Sequence, residues 1–246
     1  VHNPTNIKSY PYVPYLALTV ASDVALAALA ADPLVVRIIE DVAVPPLLDE
    51  SVPLLRADDA HGLFYRGNGV TVAVLDTGVA KNHPALVSKV ISEACYSTNN
   101  AALGLSSFCP GGATSSTANN AGLNCATNIS GCDHGTHVAG IVAGVAPAAT
   151  IIPIQVFSRN TDGGANTSCS DVGRTSPCTL SFTSDLIAAL NRVYALRITY
   201  TIAAINMSLG GGANAAVDTA VANLSNAGVT VAVAAGNNSS DACGFS

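Results

Sequence analysis

Asp133-His134-Gly135-Thr136-His137-Val138-Ala139-Gly140 puts an imidazole at the head of a helix built from small residues. Upstream, Val70-Thr71-Val72-Ala73-Val74-Leu75 runs straight into Asp76-Thr77-Gly78. An acid at the end of a buried strand and a histidine entering a helix can together activate a hydroxyl nucleophile. The carboxylate orients the ring, and the ring takes the proton. Alone, a strand-ending Asp often only caps a turn, and a lone His is usually a packing residue. The residues around His134 favour the sharper reading. Gly135, Thr136, Val138, Ala139 and Gly140 are too small to fill a core and suit close approach of helix to sheet, which would carry His134 towards Asp76. His134 and His137 are three apart and share roughly one helix face. As a metal pair they lack the acidic or cysteine partner that a His-Glu-x-x-His helix supplies.

Two more segments close strands with chemistry-bearing residues. In Asn206-Met207-Ser208-Leu209-Gly210-Gly211-Gly212 the glycines leave room for an extended peptide to pair alongside; the plainer reading is a glycine-rich turn. In Ala234-Ala235-Gly236-Asn237-Asn238 the Asn237 amide is a candidate donor to a developing oxyanion; an isolated Gly-Asn would otherwise be an Asx turn.

The elements that must position these groups follow from periodicity. Val70–Leu75 is a continuous apolar run, as expected for a strand covered on both faces. Residues 134–144 read as a helix, 150–156 as a strand and 184–196 as a helix with apolar Leu186, Ile187, Leu190, Val193 and Leu196. Residues 202–205, 213–226 and 229–235 then read as strand, helix and strand. This alternation predicts an α/β, doubly wound, mostly parallel sheet with right-handed crossovers, and ligands at the carboxyl ends of its strands. Loops 95–132 and 158–181 are long and cysteine-bearing. At the N-terminus, Tyr15–Val20 reads as a strand, Ser22 or Asp23 as a cap for a helix through Leu29, and Leu34–Ile39 as a second strand. Residues 49–59 read as an acidic, loop-like linker or cleavage zone.

The 246 residues are 49% hydrophobic and 11% charged, enough for a sizeable core. A net charge of −6 without a basic stripe excludes a nucleic-acid partner. No run reaches the roughly 18 apolar residues needed to span a bilayer, so no membrane is expected. Cys95, Cys109, Cys125 and Cys132 crowd one polar stretch, and Cys169 and Cys178 flank another. This favours short-loop disulfides in an oxidising compartment; a zinc site is the weaker reading without a Cys-x2-Cys pair. Cys243 is the odd one.

Asp76-Thr77-Gly78, His134-Gly135-Thr136-His137-Val138-Ala139-Gly140, Ser208-Leu209-Gly210-Gly211 and Ala235-Gly236-Asn237-Asn238 occur in the order found in the subtilisin-like serine peptidases, the subtilases. The resemblance covers residues 56–246, and the wording Ala-Gly-Asn-Asn with Asp241-Ala242-Cys243 resembles the proteinase K-like branch. Residues 12–55 resemble the later part of a subtilase inhibitory propeptide. The resemblance implies two domains: 1–55, a partial propeptide and linker forming a small α/β module, and 56–246, a peptidase domain. It implies Asp76 as triad acid, His134 as general base and Asn237 as oxyanion donor. Ser208, Leu209, Gly210, Ala235 and Gly236 become substrate-binding, with His137, Gly135 and Thr136 structural. It implies a secreted, monomeric serine endopeptidase precursor acting on polypeptides and held by its own propeptide in cis. No cofactor is required; structural calcium is expected without an assignable ligand set, and no catalytic metal. The family's Gly-Thr-Ser-Met-Ala nucleophile motif is absent from these residues. Ser239, Ser240 and Ser246 follow Asn237 too closely to replace it. The expectation is therefore a chain truncated before its serine and inactive alone, with Cys243 pairing further downstream. The rival from another class is a non-catalytic pseudopeptidase, a peptide-binding or inhibitory protein that keeps the cleft.

Overall fold

The computed structural model describes residues 4–41, 43–44, 57–162 and 168–237. Its centre is a six-stranded sheet. β4 (Thr71–Asp76) lies between β8 (Thr150–Gln155) and β11 (Ile202–Met207), and all three are parallel. β12 (Thr230–Val233) extends the sheet beyond β11, and β5 (Ala94–Tyr96) and β7 (Ser115–Ser116) extend it beyond β8. Only β7 runs antiparallel.

Side chains alternate along β4 and so serve two cores. Val74 packs with Ile151 of β8 and with Val138, Ala139 and Ala143 of helix α3 (His134–Val145) on one face. Ala73 and Leu75 pack on the other with Ile152, Ile154 and the buried stripe Leu186, Ile187, Leu190 and Val193 of α4 (Thr183–Leu196). Leu224 of α5 (Ala215–Asn226) joins that second core. Helices therefore cover both faces, and the doubly wound α/β architecture expected from the alternation is the one observed. After β4 the chain builds β5 and β8 on one side, then β11 and β12 on the other. The end of β4 is thus the switch point, where open α/β sheets form their crevice.

The long cysteine-bearing loops are more ordered than expected. They hold β6 (Leu105–Ser107), β9 (Phe157–Asn160) and β10 (Cys178–Phe182), which pair antiparallel beside the main sheet. Three disulfides, Cys95–Cys109, Cys125–Cys132 and Cys169–Cys178, close loops of 14, 7 and 9 residues. Cross-links of this kind add roughly 2–4 kcal/mol each by restricting the unfolded chain. Cys243 lies outside the described residues.

The N-terminal module differs from its expected strand–helix–strand order. β1 (Thr5–Ser9) pairs antiparallel with β2 (Leu16–Thr19), and α1 (Asp23–Ala30) follows, capped by the Ser22 hydroxyl. The expected strand at 34–39 is not formed. Leu34 and Val36 are 89% and 99% exposed, and an Asx turn at Asp32 holds the Leu34 amide. An apolar run without a neighbouring edge has no ladder to join. A two-residue strand, β3 (Ala43–Val44), pairs instead with the edge of β10. Of the expected linker 49–59, residues 49–56 and the boundary at residue 55 lie outside the described residues. Residues 57–59 open a short helix, α2 (Ala57–Gly62), rather than a loop.

The module is docked chiefly through polar groups on α4. Tyr10 and Val13 enter the main core. The Tyr10 hydroxyl donates to the Ser184 carbonyl (3.0 Å), and the Ser184 amide donates to Asp41 Oδ1 (2.8 Å). Lys8 Nζ pairs with Asp185, whose other oxygen accepts from the Thr98 hydroxyl at 2.7 Å. Buried Tyr10 and Asp185 and half-buried Lys8 and Asp41 thus share one cluster with two carboxyls for one ammonium. Burial pushes Asp41 and Asp185 above the ordinary carboxylate range, against the lowering pull of Lys8 and the hydroxyl and amide donors.

A carboxyl raised in the docked state and ordinary once hydrated favours docking at low pH, and that contribution is lost as pH rises through the raised value. Amide-exchange protection of residues 5–19, corrected for intrinsic rates, should therefore fall from about pH 4 upward, roughly tenfold per unit by which a carboxyl is raised. Asp41→Asn should make the profile shallower, leaving the share of Asp185; protection in the unsubstituted chain that does not change across this window would contradict the reading.

Candidate active site

Asp76 ends β4 at the switch point and has no solvent exposure. A carboxylate in that position needs donors. It receives the Thr77 amide at 2.7 Å, and His134 Nδ1 lies 2.8 Å from Oδ1 and 3.0 Å from Oδ2. Because a carboxylate only accepts, Nδ1 carries the hydrogen and Nε2 of the neutral ring keeps its lone pair. Nε2 is buried and has no hydrogen-bond partner among the described residues. An anchored ring with a free basic nitrogen can accept a proton from a hydroxyl brought within reach.

The close approach of α3 depends on its small residues. A Cβ on Gly135 would sit 2.4 Å from the Gly78 carbonyl and 3.0 Å from Asp76 Oδ1. Gly78 has φ +85°, and a Cβ there would meet the Leu123 carbonyl at 2.1 Å. Thr77 joins the two halves, its hydroxyl accepting from the Gly135 amide at 2.9 Å and donating to the Cys132 carbonyl at 3.5 Å. Thr136 Oγ1 accepts from the Ala80 amide at 2.9 Å. Thr136 and Gly135 therefore serve the packing. His137 is exposed and takes no part in the pair.

Strand register brings the remaining segments to the same level. Val74 pairs with Asn206, and Met207 with Val233, so Asp76 at the end of β4 stands level with Ser208 and Ala234 just past the ends of β11 and β12. A cleft of about 510 Å³ opens at the ends of β11 and β12, lined by Leu209, Gly210, Ala234 and Ala235 together with Phe182 and Leu186; neither Asp76 nor His134 is among its walls. Ser208 is not among its walls; its hydroxyl is buried and donates to Asn206 Oδ1 at 2.9 Å. Gly236 turns the chain with φ +87°, and Asn237 is exposed at the end of the described residues. Among those residues no group of three or more His, Cys, Asp or Glu side chains converges.

Sequence reasoning missed the edge of β10 beside the cleft. There β3 lies antiparallel, with Val44 opposite Ser181 and Ala43 opposite Phe182, while Glu40 reaches the cleft wall. The signal was present: apolar Cys178, Leu180 and Phe182 alternate with Thr179 and Ser181. Ser130 bridges to this strand from the Cys125–Cys132 loop, its amide donating to the Pro177 carbonyl (3.0 Å) and its carbonyl accepting from the Thr179 amide (3.1 Å). The loop that leads into His134 is thus fixed to β10.

The family model of the subtilases, peptidase family S8, matches residues 67–245. The extracellular serine proteinase of Thermus sp. is 34% identical over 78% of this chain and 37% of its own length. The alkaline serine exoprotease A of Vibrio alginolyticus is 31% identical over 78% of this chain and 28% of its own. A cold-adapted subtilisin-like serine proteinase of solved structure is 28% identical, with a TM-score of 0.44 over 74% of this chain and 52% of that one. The chain thus spans roughly a third of the length of these two curated relatives, 37% and 28%.

Two substitutions test the geometry. Gly135→Ala forces a Cβ into backbone and should lower stability by about 1–3 kcal/mol in a denaturant titration. Asp76→Asn should abolish the low-field Nδ1 proton resonance of His134 in proton NMR. A persisting resonance would place the hydrogen elsewhere.

Proposed function

Because the chain belongs to the subtilase family of peptidases, we propose that it is the acid–base and substrate-binding part of a secreted serine endopeptidase precursor. One observation carries this reading: His134 is held through Nδ1 by a wholly buried Asp76, with Nε2 buried and unpaired. In this mechanism His134 Nε2 takes the proton of a serine hydroxyl as its oxygen attacks a peptide carbonyl. Asp76 fixes the ring's tautomer and stabilises the imidazolium. The Asn237 amide donates to the oxyanion. His134 then protonates the leaving amine, and water releases the acyl group.

Substrate lies extended along Ser208–Gly210, with Ala235 and Gly236 walling the pocket that takes the side chain at the cleaved bond. Residues 1–55 act as an inhibitory propeptide in cis. The docking of Tyr10 and Val13 on the main core and the approach of Glu40 to the cleft support that role. The wording Ala235-Gly236-Asn237-Asn238 supports the proteinase K-like branch. Secretion is supported by the three disulfides and by the extracellular proteinase among the relatives. No described helix is long and apolar enough to cross a membrane.

No described serine hydroxyl bonds to His134 Nε2. The nucleophile in this proposal is a serine of the family's Gly-Thr-Ser-Met-Ala motif, which these 246 residues do not contain. The 246-residue polypeptide should not react with a fluorophosphonate probe, whereas the gene's full-length product should label on one serine. His134→Ala in that product should lower peptidase activity by at least about 100-fold and stop release of the N-terminal segment. Labelling of the shorter chain, or normal maturation of the variant, would overturn the assignment. A full-length product without a reactive serine would favour the non-catalytic, peptide-binding reading.

A further inference from the structure

Gln155 ends β8 and is fully buried. It is the register partner of Asp76 across β4 and β8, and of Cys95 across β5 and β8. Its amide is engaged at both ends. Nε2 donates to the Thr77 carbonyl at 2.6 Å, and Oε1 accepts the Phe157 amide at 2.8 Å. The two partners fix the amide's orientation, because a flip would set donor against donor and acceptor against acceptor.

Thr77 is held on every polar atom it has. Its amide donates to Asp76 Oδ1, its hydroxyl accepts from the Gly135 amide and donates to the Cys132 carbonyl, and its carbonyl accepts from Gln155. The first three contacts lie within Asp76, α3 and the turn leading into it. Gln155 is the side chain that ties the Thr77 carbonyl to the neighbouring strand, next to the Val156 amide, which donates to the Asp76 carbonyl at 3.0 Å. Through Phe157 the same side chain reaches the first residue of β9, which pairs with β10. The carbonyl direction of Thr77 sets the turn into Gly78, whose own carbonyl abuts Gly135.

We propose that Gln155 is a positioning residue for the acid–base pair: its amide fixes the Thr77 turn, and with it the Asp76 carboxylate under His134, relative to the sheet that carries the β10 edge. The proposal rests on Asp76 and His134 acting as acid and base. Gln155 touches neither group; it acts through the Thr77 peptide unit.

The test uses histidine labelled with nitrogen-15 in the full 246-residue chain, following solvent exchange of the His134 Nδ1 proton alongside the thermal midpoint. Gln155→Met keeps the length and removes both amide hydrogen bonds; it should speed Nδ1 proton exchange about tenfold. Gln155→Lys restores a donor towards the Thr77 carbonyl and should return exchange towards the wild-type rate. Leu224→Ala, in the core under α5 and remote from the turn, should lower the midpoint without changing Nδ1 exchange. If Gln155→Met does not fold, Gln155→Glu takes its place, since it keeps the shape and puts an oxygen against the Thr77 carbonyl. Wild-type Nδ1 exchange in the folded Gln155 variants, or acceleration matching that of Leu224→Ala, would overturn the positioning role. Asp76→Asn reports separately on the underlying pair: if it leaves the Nδ1 resonance unchanged, the acid–base reading fails first and the proposal with it.

Discussion

The molecule is arranged around one burial problem, a carboxylate with no solvent exposure at the end of a central strand. An unpaired charge there would cost several kcal/mol, so the surrounding chain must bring donors to it. Two arrive, the Thr77 amide from the same turn and the His134 imidazole from the head of α3. The second forms only if a helix axis comes unusually close to the sheet. Gly135 and Gly78 permit that approach, and Val138, Ala139 and Ala143 then pack flat against Val74 and Ile151. Satisfying the buried acid and aiming the histidine are one structural event, which is why the small residues of α3 matter as much as the histidine itself.

The second sheet gives the pair a context. β9 leaves the end of β8 after a single residue, and β10 returns beside it, its other edge paired with β3. Gln155 sits at that departure point and bonds to both the acid's turn and the start of β9. The Cys125–Cys132 loop ties the residues before His134 to β10 from the other side. Asp76, His134 and the β10 strand therefore share a frame of short, buried contacts. Such contacts hold position better than surface ion pairs, which are worth little in water.

The N-terminal module is attached by a different kind of chemistry. Its own helix, α1, buries no residue. What binds it is a pair of core-entering side chains and a cluster with more carboxyl than ammonium charge. Hydrophobic burial holds at any pH, whereas an imbalance of buried charge does not. The docked state is thus fixed in position by Tyr10 and Val13 and adjustable in strength through Asp41 and Asp185.

The sequence determined the elements whose causes are local. The apolar run before Asp76, the helical spacing of α4, the Ser22 cap and the small residues after His134 could each be read from neighbouring letters, and the structure has them in place. The pairing of Asp76 with His134 was legible too, because strand order in a parallel sheet and a glycine-lined helix leave few alternatives. Tertiary structure decided the rest. Leu34–Ile39 had a strand's composition and found no edge to pair with. Thr5–Ser9 had little of that composition and did find one. The contacts of Lys8 with Asp185, 177 residues apart, and of Gln155 with Thr77, 78 apart, are invisible to periodicity. Propensity and turn chemistry act over a few residues. Which buried polar group meets which partner is settled only when distant segments are packed together and each donor must find an acceptor.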